Sequence, residues 1–357
     1  MRLGFDSKRL FFNNSGLGNY ARFHVEVMSE LTQFDCRWLS EKAAQYRHLS
    51  STHPRAKWPG FRWWGMGRWA RQQGVELYHG LSNELPIDWP SHKPSIVTVH
   101  DTIFLDHPDY YRPWDRHLYA LKLRLAMRKA TRIVATSEFT KQSLLRHYSQ
   151  RTDIQVLYQG LSPDFKHAAE EAIAQPHSNP YFVYHSTFNA RKNHQTLLHA
   201  FSLIWKQCDW DLVLIGRPGS EWKGLQSQVK SKPWGHRIQF IVDASQLELL
   251  SWLKGASGFV YPSFTEGFGI PLIEAQYLEL PIAASRIPVF QEIMEEGALY
   301  FHPNSAEEMA ACMLELGRSE TRSKLIQEAK KVSGKWDIEV LRSQWENIYQ
   351  HLFTKTP

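Results

Sequence analysis

The stretch YPSFTEGFGIPLIEA, residues 261–275, contains the pattern that decides the fold. It begins inside an apolar run, GFVYPS (258–263), which predicts a strand buried on both faces and ending at Pro262 or Ser263. A glycine-containing loop follows. Pro271 then suits a first helical position because proline has no amide hydrogen to leave unpaired. We therefore expect a strand, a loop and a helix in succession, with Glu274 in the first helical turn.

Short β-rich runs of this kind recur along the chain, separated by helical patterns. Their apolar character is typical of parallel strands that are covered by crossover helices. The ten runs are RLGFD (2–6), VELYHG (75–80), SIVTVHD (95–101), RIVATS (132–137), IQVLYQ (154–159), YFVYHS (181–186), DLVLIG (211–216), RIQFIV (237–242), GFVYPS (258–263) and PIAASR (281–286). We therefore predict an α/β protein with two Rossmann-like, doubly wound parallel-sheet domains that face each other across a cleft.

The length of 357 residues suits two domains. A polar stretch with two prolines predicts the linker between them. The predicted boundaries are 1–165 for an N-terminal domain, 166–180 for the linker, 181–335 for a C-terminal domain, and 336–357 for a C-terminal helix that crosses back to the N-terminal domain.

Composition excludes several classes of protein. Apolar residues make up 43% of the chain and charged residues 22%, which argues against a disordered, collagen-like or coiled-coil protein. No run of about 18 apolar residues predicts a membrane span, and the first residues hold no secretory signal. Cys36, Cys208 and Cys312 are scattered, so neither a disulfide framework nor a zinc site is expected. We expect a cytoplasmic protein.

Three motifs follow predicted strands, where ligands bind in open α/β sheets. In NNSGLGNY (13–20), Gly16 lies in a loop whose amides could face a phosphate, although such glycines also serve ordinary turns. His100 in VTVHD could bind a sugar hydroxyl or act as an acid or base; the alternative is a structural histidine. Arg191 and Lys192 in STFNARKN are placed to hold a diphosphate, unless they are a solvated basic pair.

The fourth motif is the stretch quoted first. Its loop, Gly267 to Ile270, offers free amides for phosphate oxygens, while Glu266 and Glu274 offer two carboxylates for sugar or ribose hydroxyls. A glutamate near a helix start is also favourable because of the helix dipole alone. The triplet Asp209-Trp210-Asp211 resembles a metal-binding cluster, but it precedes a predicted strand, and we predict no metal.

These motifs, in this order, resemble family 4 of the retaining glycosyltransferases, and EGFGIPLIE matches the family's E-x7-E signature. The resemblance covers nearly the whole chain and implies the GT-B arrangement of two Rossmann-like domains. It implies transfer with retention of configuration and without a metal or other cofactor. It also assigns roles by position, with His100 and Glu266 catalytic and the donor bound by Gly16, Arg191, Lys192, Gly267, Phe268, Gly269, Ile270 and Glu274.

The chain departs from the family pattern in the predicted donor pocket. Ser186 stands where the family usually has glycine, Gln159-Gly160 replaces Asn-Gly, and a common glycine near the base pocket is replaced by Val242 or Asp243. The expected donor is a nucleotide sugar, with GDP-mannose as the first choice and UDP-hexoses and dTDP-rhamnose as alternatives. The expected acceptor is a glycan or lipid-linked glycan of lipopolysaccharide, O-antigen or exopolysaccharide biosynthesis. A sugar-nucleotide epimerase and a non-catalytic binding protein stay open as alternative functions.

The chain has a net charge of +6, and its basic excess lies in one half. Residues 1–176 hold 24 Lys and Arg against 17 Asp and Glu. The segment 55–71 carries Arg62, Trp63, Trp64 and Arg68, and the segment 112–151 is also basic. Tryptophan beside arginine suits an anionic membrane interface, so we expect peripheral binding to the inner face of the plasma membrane. The alternative is packing between helices, and no motif supports nucleic acid as a partner.

Overall fold

A computed structural model describes residues 1–13, 16–54 and 58–354. The chain divides into two compact units, one formed by Met1–Pro163 with Lys335–Pro357 and the other by Asp164–Gly334. Each unit contains one six-stranded parallel sheet with helices around it. The predicted α/β class with two doubly wound parallel sheets is thus confirmed.

The sheet of the N-terminal unit has the order β2-β1-β5-β6-β7-β8, and a small antiparallel hairpin, β3-β4, lies outside it. The strands are β1 (Arg2–Asp6), β2 (Asp35–Leu39), β3 (Gln45–Tyr46), β4 (Leu49–Ser50), β5 (Leu77–Gly80), β6 (Ser95–Val99), β7 (Arg132–Ala135) and β8 (Ile154–Val156). All five residues of β6 are buried, as expected for a central strand covered on both faces.

Seven helices connect these strands within the described ranges. They are α1 (Lys8–Phe12), α2 (Gly16–Ser29), α3 (Phe61–Trp64), α4 (Met66–Gln72), α5 (Ile103–Asp106), α6 (Pro113–Lys129) and α7 (Glu138–His147), with a 3-10 turn at Pro108–Tyr110. Helix α7 begins at Glu138 because the Ser137 hydroxyl accepts the amide hydrogen of Thr140 as an N-cap.

The C-terminal unit contains the second sheet, with the order β11-β10-β9-β12-β13-β14. Its strands are β9 (Tyr181–His185), β10 (Asp211–Gly216), β11 (Ile238–Val242), β12 (Gly258–Tyr261), β13 (Ile282–Ser285) and β14 (Ala298–Phe301). Counted within the unit, this is the doubly wound order 3-2-1-4-5-6. The direction of the crossovers therefore reverses between β9 and β12, which are parallel neighbours.

The helices of this part of the chain are α8 (Pro163–Glu171), α9 (His194–Ile204), α10 (Trp222–Lys230), α11 (Gln246–Gly255), α12 (Ile270–Tyr277), α13 (Pro288–Met294), α14 (Ala306–Leu316) and α15 (Ser319–Val332). Three 3-10 turns accompany them at Ala190–Lys192, Gly235–Arg237 and Ser333–Trp336. No helix in the described part of the chain is long and apolar enough to cross a membrane.

The last helix, α16 (Ile338–Thr354), belongs to the N-terminal unit. Trp345 and Tyr349 of this helix are fully buried there. The Tyr349 hydroxyl lies 2.7 Å from Nε2 of His24 on α2 and 2.8 Å from Nδ1 of His79 on β5. Helix α16 is therefore part of the core of that unit and not an appended tail.

Candidate active site

The crossover reversal in the C-terminal unit brings two loops together at the carboxyl ends of β9 and β12. A doubly wound sheet forms a crevice where the crossovers diverge, and ligands bind there. The loop 186–193 follows β9 and carries Arg191 and Lys192. The loop 262–269 follows β12 and carries Glu266. Arg191 and Glu266 are far apart in sequence, but their loops meet because β9 and β12 are neighbours in the sheet.

Arg191 and Lys192 both pair with Glu266. Arg191 Nη1 lies 2.7 Å from Glu266 Oε2, and it also donates a hydrogen bond of 2.7 Å to the Thr265 carbonyl. Lys192 Nζ contacts Glu266 Oε1 and lies 5.7 Å from the centre of the Tyr261 ring. The three side chains expose little surface, so the cluster is a largely desolvated group of two positive charges and one negative charge.

The pKa of Glu266 shows which of these effects dominates. Burial alone would raise the pKa, but the charges of Arg191 and Lys192 outweigh burial and lower the pKa to about 2. Glu266 is therefore a carboxylate at neutral pH. The pair of cations exceeds its partner by one positive charge, which suits an anionic ligand.

Two side chains that the sequence did not single out hold these loops together. Asn193 has a left-handed backbone with φ of 58°, and its Nδ2 donates to the carbonyls of Pro262 at 2.9 Å and Pro303 at 2.7 Å. The Tyr184 hydroxyl donates to the Lys192 carbonyl at 3.1 Å. Their position beside a basic pair after a strand was the only sequence signal for either residue.

The glycine loop leads into α12 as expected, with one correction. Gly269 has φ of 121°, a conformation that glycine favours, and Phe268 beside it is buried. Helix α12 begins at Ile270, one residue before Pro271, so Glu274 is its fifth residue and lies in the second turn. The expectation of a first-turn position was wrong because the helix extends beyond its proline by one residue. Gly267 precedes this turn in the same loop.

Glu274 is a buried carboxylate without a hydrogen-bonding partner for one oxygen. Its Oε2 lies 3.1 Å from Nε2 of His185, the last residue of β9, within ion-pair distance. Neither atom makes a hydrogen bond to any residue that the structure describes. A buried, unsatisfied carboxylate oxygen is costly, and its presence near the crevice is consistent with a polar ligand that would complete it.

Two residues that depart from the family pattern, Ser186 and Asp243, have defined local structures. Ser186 Oγ lies 3.1 Å from Nε2 of His194, whose ring is buried. Asp243 adopts φ of 53°, so an aspartate occupies a left-handed backbone that glycine would adopt at lower cost. The backbone at Asp243 thus keeps a glycine-like conformation, while Ser186 adds a hydroxyl that a glycine would lack.

His100 lies in the N-terminal unit, directly after β6. Its Nε2 is 2.8 Å from the carbonyl oxygen of Leu81, which can only accept, so Nε2 carries the proton and Nδ1 holds the lone pair. Burial is the main cause that lowers the pKa of His100 to about 4. The bond to Leu81 opposes this effect, and the charge of Arg9 adds to it. His100 is therefore neutral at physiological pH.

Asn83 fixes the backbone around His100 and was missed by the sequence reasoning. The side-chain Oδ1 of Asn83 accepts the backbone amide hydrogen of His100 at 2.8 Å, and the backbone amide of Asn83 donates to the Thr98 carbonyl at 2.9 Å. The backbone at Asn83 is left-handed, with φ of 58°. The ring of Tyr20, one turn into α2, packs edge-on against the His100 ring with centroids 4.5 Å apart.

The glycine loop of the N-terminal unit is described in part, because residues 14 and 15 of NNSGLGNY lie outside the described ranges. Gly16 is the first residue of α2, and a side chain there would meet open space. Gly18 has the stricter requirement, since a Cβ would lie 1.8 Å from the carbonyl oxygen of Asn13. Gly16 is thus open toward a ligand, whereas Gly18 allows the close packing of the loop.

Arg62, expected at a membrane surface, takes part in an ion-pair cluster of the N-terminal unit. The Arg62 side chain is only 10% exposed. Its guanidinium pairs with the Asp6 carboxylate at 2.5 Å and with the Glu84 carboxylate. Two carboxylates therefore balance the charge of Arg62 within the fold. Trp63 is half-buried and donates to Glu84 at 3.4 Å. Trp64 and Arg68 are exposed, and residues 55–57 of the same basic segment lie outside the described ranges.

Asp211 of the triplet 209–211 forms ion pairs within the C-terminal unit. Asp211 is the first residue of β10, as expected, and its carboxylate pairs with Arg237 at 2.7 Å and His177 at 2.9 Å. Across the described ranges, no three His, Cys, Asp or Glu side chains converge as a metal site would require.

Comparison with known proteins identifies the family. Residues 166–332 match the model of the glycosyl transferases group 1, and residues 35–165 match that of glycosyltransferase family 4. Among relatives, the O-antigen chain mannosyltransferase RfbU of Salmonella typhimurium is 26% identical over 58% of this chain and 56% of its own length. The O-antigen chain mannosyltransferase B of Escherichia coli is 28% identical over 67% of this chain and 64% of its own length. The matches thus span less than two thirds of these relatives.

Solved structures share the fold over the whole chain at low identity. Sucrose-phosphate synthase from Thermosynechococcus elongatus superposes with a TM-score of 0.79 at 17% identity, covering 99% of both chains. WaaG, a glycosyltransferase involved in lipopolysaccharide biosynthesis, gives 0.73 at 13% identity and covers 98% of this chain and 99% of its own. The two family models together match residues 35–332, so the chain belongs to glycosyltransferase family 4, the glycosyl transferases group 1, and has the GT-B fold.

Proposed function

We propose that the protein transfers a sugar from a nucleoside diphosphate donor to a hydroxyl group of a glycan or lipid-linked glycan. The observation that carries this proposal is the cluster of Arg191, Lys192 and Glu266 at the crossover reversal of the C-terminal unit. Cations held there, beside the glycine loop that begins α12, suit the diphosphate of a nucleotide sugar.

The chemistry follows from where charge develops. The bond between the anomeric carbon and the diphosphate breaks, and its electron pair goes to the phosphate oxygen. Arg191 and Lys192 stabilise that developing charge, so transfer needs no metal in this proposal. The acceptor oxygen bonds to the oxocarbenium-like carbon from the face that the phosphate leaves, and its proton passes to the departing phosphate. This path retains the anomeric configuration.

Glu266 serves this reaction better as an electrostatic group than as a nucleophile. It is ionised, with a pKa of about 2, but each of its oxygens pairs with a cation. Such pairing lowers the electron density available for attack on carbon. In the proposal Glu266 orients the two cations and accepts hydrogen bonds from the transferred sugar.

The tautomer of His100 defines what this residue can do. Its Nε2 proton is committed to Leu81, and Nδ1 makes no hydrogen bond among the described residues. Nδ1 can therefore accept a hydrogen bond from a hydroxyl of the donor sugar. Because the pKa is lowered to about 4, His100 is proposed as a neutral contact and not as a proton donor.

The donor and the pathway are proposed from the relatives. Three of them are named as mannosyltransferases of O-antigen or serotype-specific glycans, which supports GDP-mannose and a lipopolysaccharide acceptor. The structural neighbour HepE from Anabaena binds UDP-glucose, which keeps a uridine donor open. We further propose a cytoplasmic location at the inner face of the plasma membrane, where a lipid-linked acceptor would be available.

The first experiment identifies the base. Thermal shift with GDP, UDP and dTDP should show one nucleotide that stabilises the protein. A panel of sugars on that nucleotide is then tested for release of nucleoside diphosphate that depends on an added glycan acceptor. Release through epimerisation without an acceptor, or saturable binding without turnover, would replace transfer with one of the alternative functions.

We propose that the Glu274 carboxylate accepts a hydrogen bond from a ribose hydroxyl of the donor, and Glu274→Gln tests this contact. The variant should bind the selected nucleoside diphosphate about 10- to 100-fold more weakly, because a hydrogen bond to a charged group contributes roughly 1.5–3 kcal/mol. Glu320→Gln, at an exposed glutamate of the same unit, is the matched control and should bind normally. Unchanged affinity of Glu274→Gln in calorimetry would refute the ribose role.

A further inference from the structure

Helix α6 has two apolar faces, and only one of them is used by the fold. On the inner face Leu123, Ala126 and Met127 are buried. The ring of Tyr119, at the same side of the helix, lies 5.9 Å from the ring of Phe104. These contacts fix the rotation of α6 on the N-terminal unit and show which side points away from the core.

The outer face presents a row of large apolar side chains. Trp114, Leu118, Leu121 and Leu125 follow each other at spacings of four, three and four residues, so they form one stripe along the helix. Trp114 exposes 83% of its surface, Leu118 38% and Leu121 46%. An ordinary surface helix directs polar residues outward, so this stripe requires an explanation.

Cations flank the stripe on both sides. Arg124 and Arg128 each lie three residues after a member of the stripe and form one flank. Arg124 and Arg128 are exposed, and no carboxylate in the described part of the chain lies within ion-pair distance of them. On the other flank, Lys122 pairs with Glu84 at 3.0 Å, so that flank is anchored to the unit.

We propose that this outer face of α6, the stripe Trp114–Leu118–Leu121–Leu125 with Arg124 and Arg128, binds the surface of a bilayer that contains anionic phospholipids. An exposed tryptophan at one end, leucines along the axis and arginines without carboxylate partners beside them complement the acyl boundary and the phosphate headgroups of such a surface. Asp115 is the one acidic residue of the helix. The proposal rests on the proposed function, to which it adds the surface that meets the lipid-linked acceptor's membrane.

This assignment moves the membrane contact away from the segment at 62–68. Arg62 is neutralised by Asp6 and Glu84, and the ring of Trp63 lies 4.9 Å from Lys122 Nζ of α6. The segment 62–68 and helix α6 are therefore neighbours. The arginines beside the apolar stripe that pair with no carboxylate of the described residues are Arg124 and Arg128 of α6. The Trp64 side chain, which is exposed on α3, provides a direct comparison.

The test is co-sedimentation of the full chain with vesicles. The wild type should bind vesicles of phosphatidylglycerol and phosphatidylcholine, bind less at high salt, and not bind phosphatidylcholine alone. The triple variant Trp114→Ser/Leu118→Gln/Leu121→Gln should lose at least 90% of the bound fraction. Arg124→Gln/Arg128→Gln, which leaves the apolar residues in place, should weaken binding about 30-fold, because each basic residue contributes about fivefold.

Two controls make the result specific. Ile173→Ser removes an apolar side chain of the C-terminal unit that is also 83% exposed, and it should bind vesicles normally. Trp64→Ser should retain most of the binding. Loss of binding in Trp64→Ser with normal binding in the triple variant would overturn the proposal. Failure of the wild type to bind anionic vesicles, or equal binding to neutral ones, would also overturn it.

The outcome is independent of catalysis. Thermal shift with GDP and UDP, measured without vesicles, should be the same for the wild type and both α6 variants, which also shows that the variants are folded. If no nucleotide shifts the wild type but vesicles bind it, the proposed function fails and the membrane surface stands. If the α6 substitutions instead abolish a dimer seen in solution and vesicles do not bind, the face is a protein interface and the proposal is wrong.

Discussion

Two asparagines in matching backbone conformations should have separable effects. Asn83 and Asn193 both have φ of 58°, and each side chain bridges neighbouring loops at the end of a strand. Asn83 holds the backbone of His100, so Asn83→Ala should lower turnover with little change in nucleoside diphosphate affinity. Asn193 holds the loop of Arg191 and Lys192, so Asn193→Ala should lower that affinity, by about tenfold for lost positioning of charge-assisted bonds.

Parallel measurements separate these roles from general destabilisation. Calorimetry measures nucleotide affinity, and acceptor-dependent release of nucleoside diphosphate measures turnover. Asn83→Ala should lower mainly the turnover, and Asn193→Ala should lower mainly the affinity. Asn83→Asp keeps an oxygen acceptor for the His100 amide and should recover part of the turnover. If both variants lose affinity and turnover equally, the asparagines only support folding.

The sequence located the charged residues of the site but not the residues that position them. Arg191, Lys192 and Glu266 stand out because they follow predicted strands, where the two cations suit a diphosphate and the carboxylate suits a sugar hydroxyl. Asn83 and His185 carry no such signal, because their importance depends on which loop lies beside them in space. His185 reads as one more residue of a buried strand, although its Nε2 lies 3.1 Å from Glu274.

At the scale of elements, the sequence found the central strands and missed two at the edges. All ten predicted runs contain a strand, whereas the short hairpin β3-β4 and, in the two large sheets, β2 and β14 were not predicted. Strands β2 and β14 are edge strands of their sheets. An edge strand is covered less completely, and β2 (DCRWL) accordingly mixes polar and apolar residues, with only its last two residues buried. The continuous apolar pattern used for recognition is a property of central parallel strands.

The C-terminal helix should be needed for the stability of the N-terminal unit. The Tyr349 hydroxyl is the shared partner of His24 and His79, and all three residues are buried. Tyr349→Phe leaves two buried imidazole nitrogens unpaired and should lower the free energy of unfolding by about 1–3 kcal/mol. Urea denaturation measures this change. Tyr119→Phe, at a half-exposed tyrosine of α6, should leave the midpoint unchanged, and an equal loss in both variants would contradict the role of Tyr349.

At the scale of the whole molecule, both units contain buried neutral histidines. Burial lowers the pKa of His24 in the N-terminal unit to about 3. Burial, aided by the charge of Lys192, lowers the pKa of His194 in the C-terminal unit to about 3. Nδ1 of each ring has no hydrogen-bond partner among the described residues, so a proton there would be unsatisfied. Acid should therefore destabilise both units and not one alone.

The direction of this effect follows from proton uptake. Below about pH 6.5 the unfolded chain protonates these two histidines and also His79 and His100, whose pKa values burial likewise lowers, whereas the native chain does not. The free energy of unfolding therefore falls as the pH falls. Each histidine contributes about 1.4 kcal/mol per pH unit in this range, or about 2 kcal/mol by about pH 5. Urea midpoints at about pH 7.5 and about pH 5 measure the loss. Glu266 and similar carboxylates act only below about pH 4.5 and do not confound it. His24→Asn should reduce the loss by the share of one histidine, about 2 kcal/mol, whereas His167→Gln, at an exposed histidine, should leave it unchanged. A midpoint that is constant between the two pH values would show that the buried rings accept protons freely.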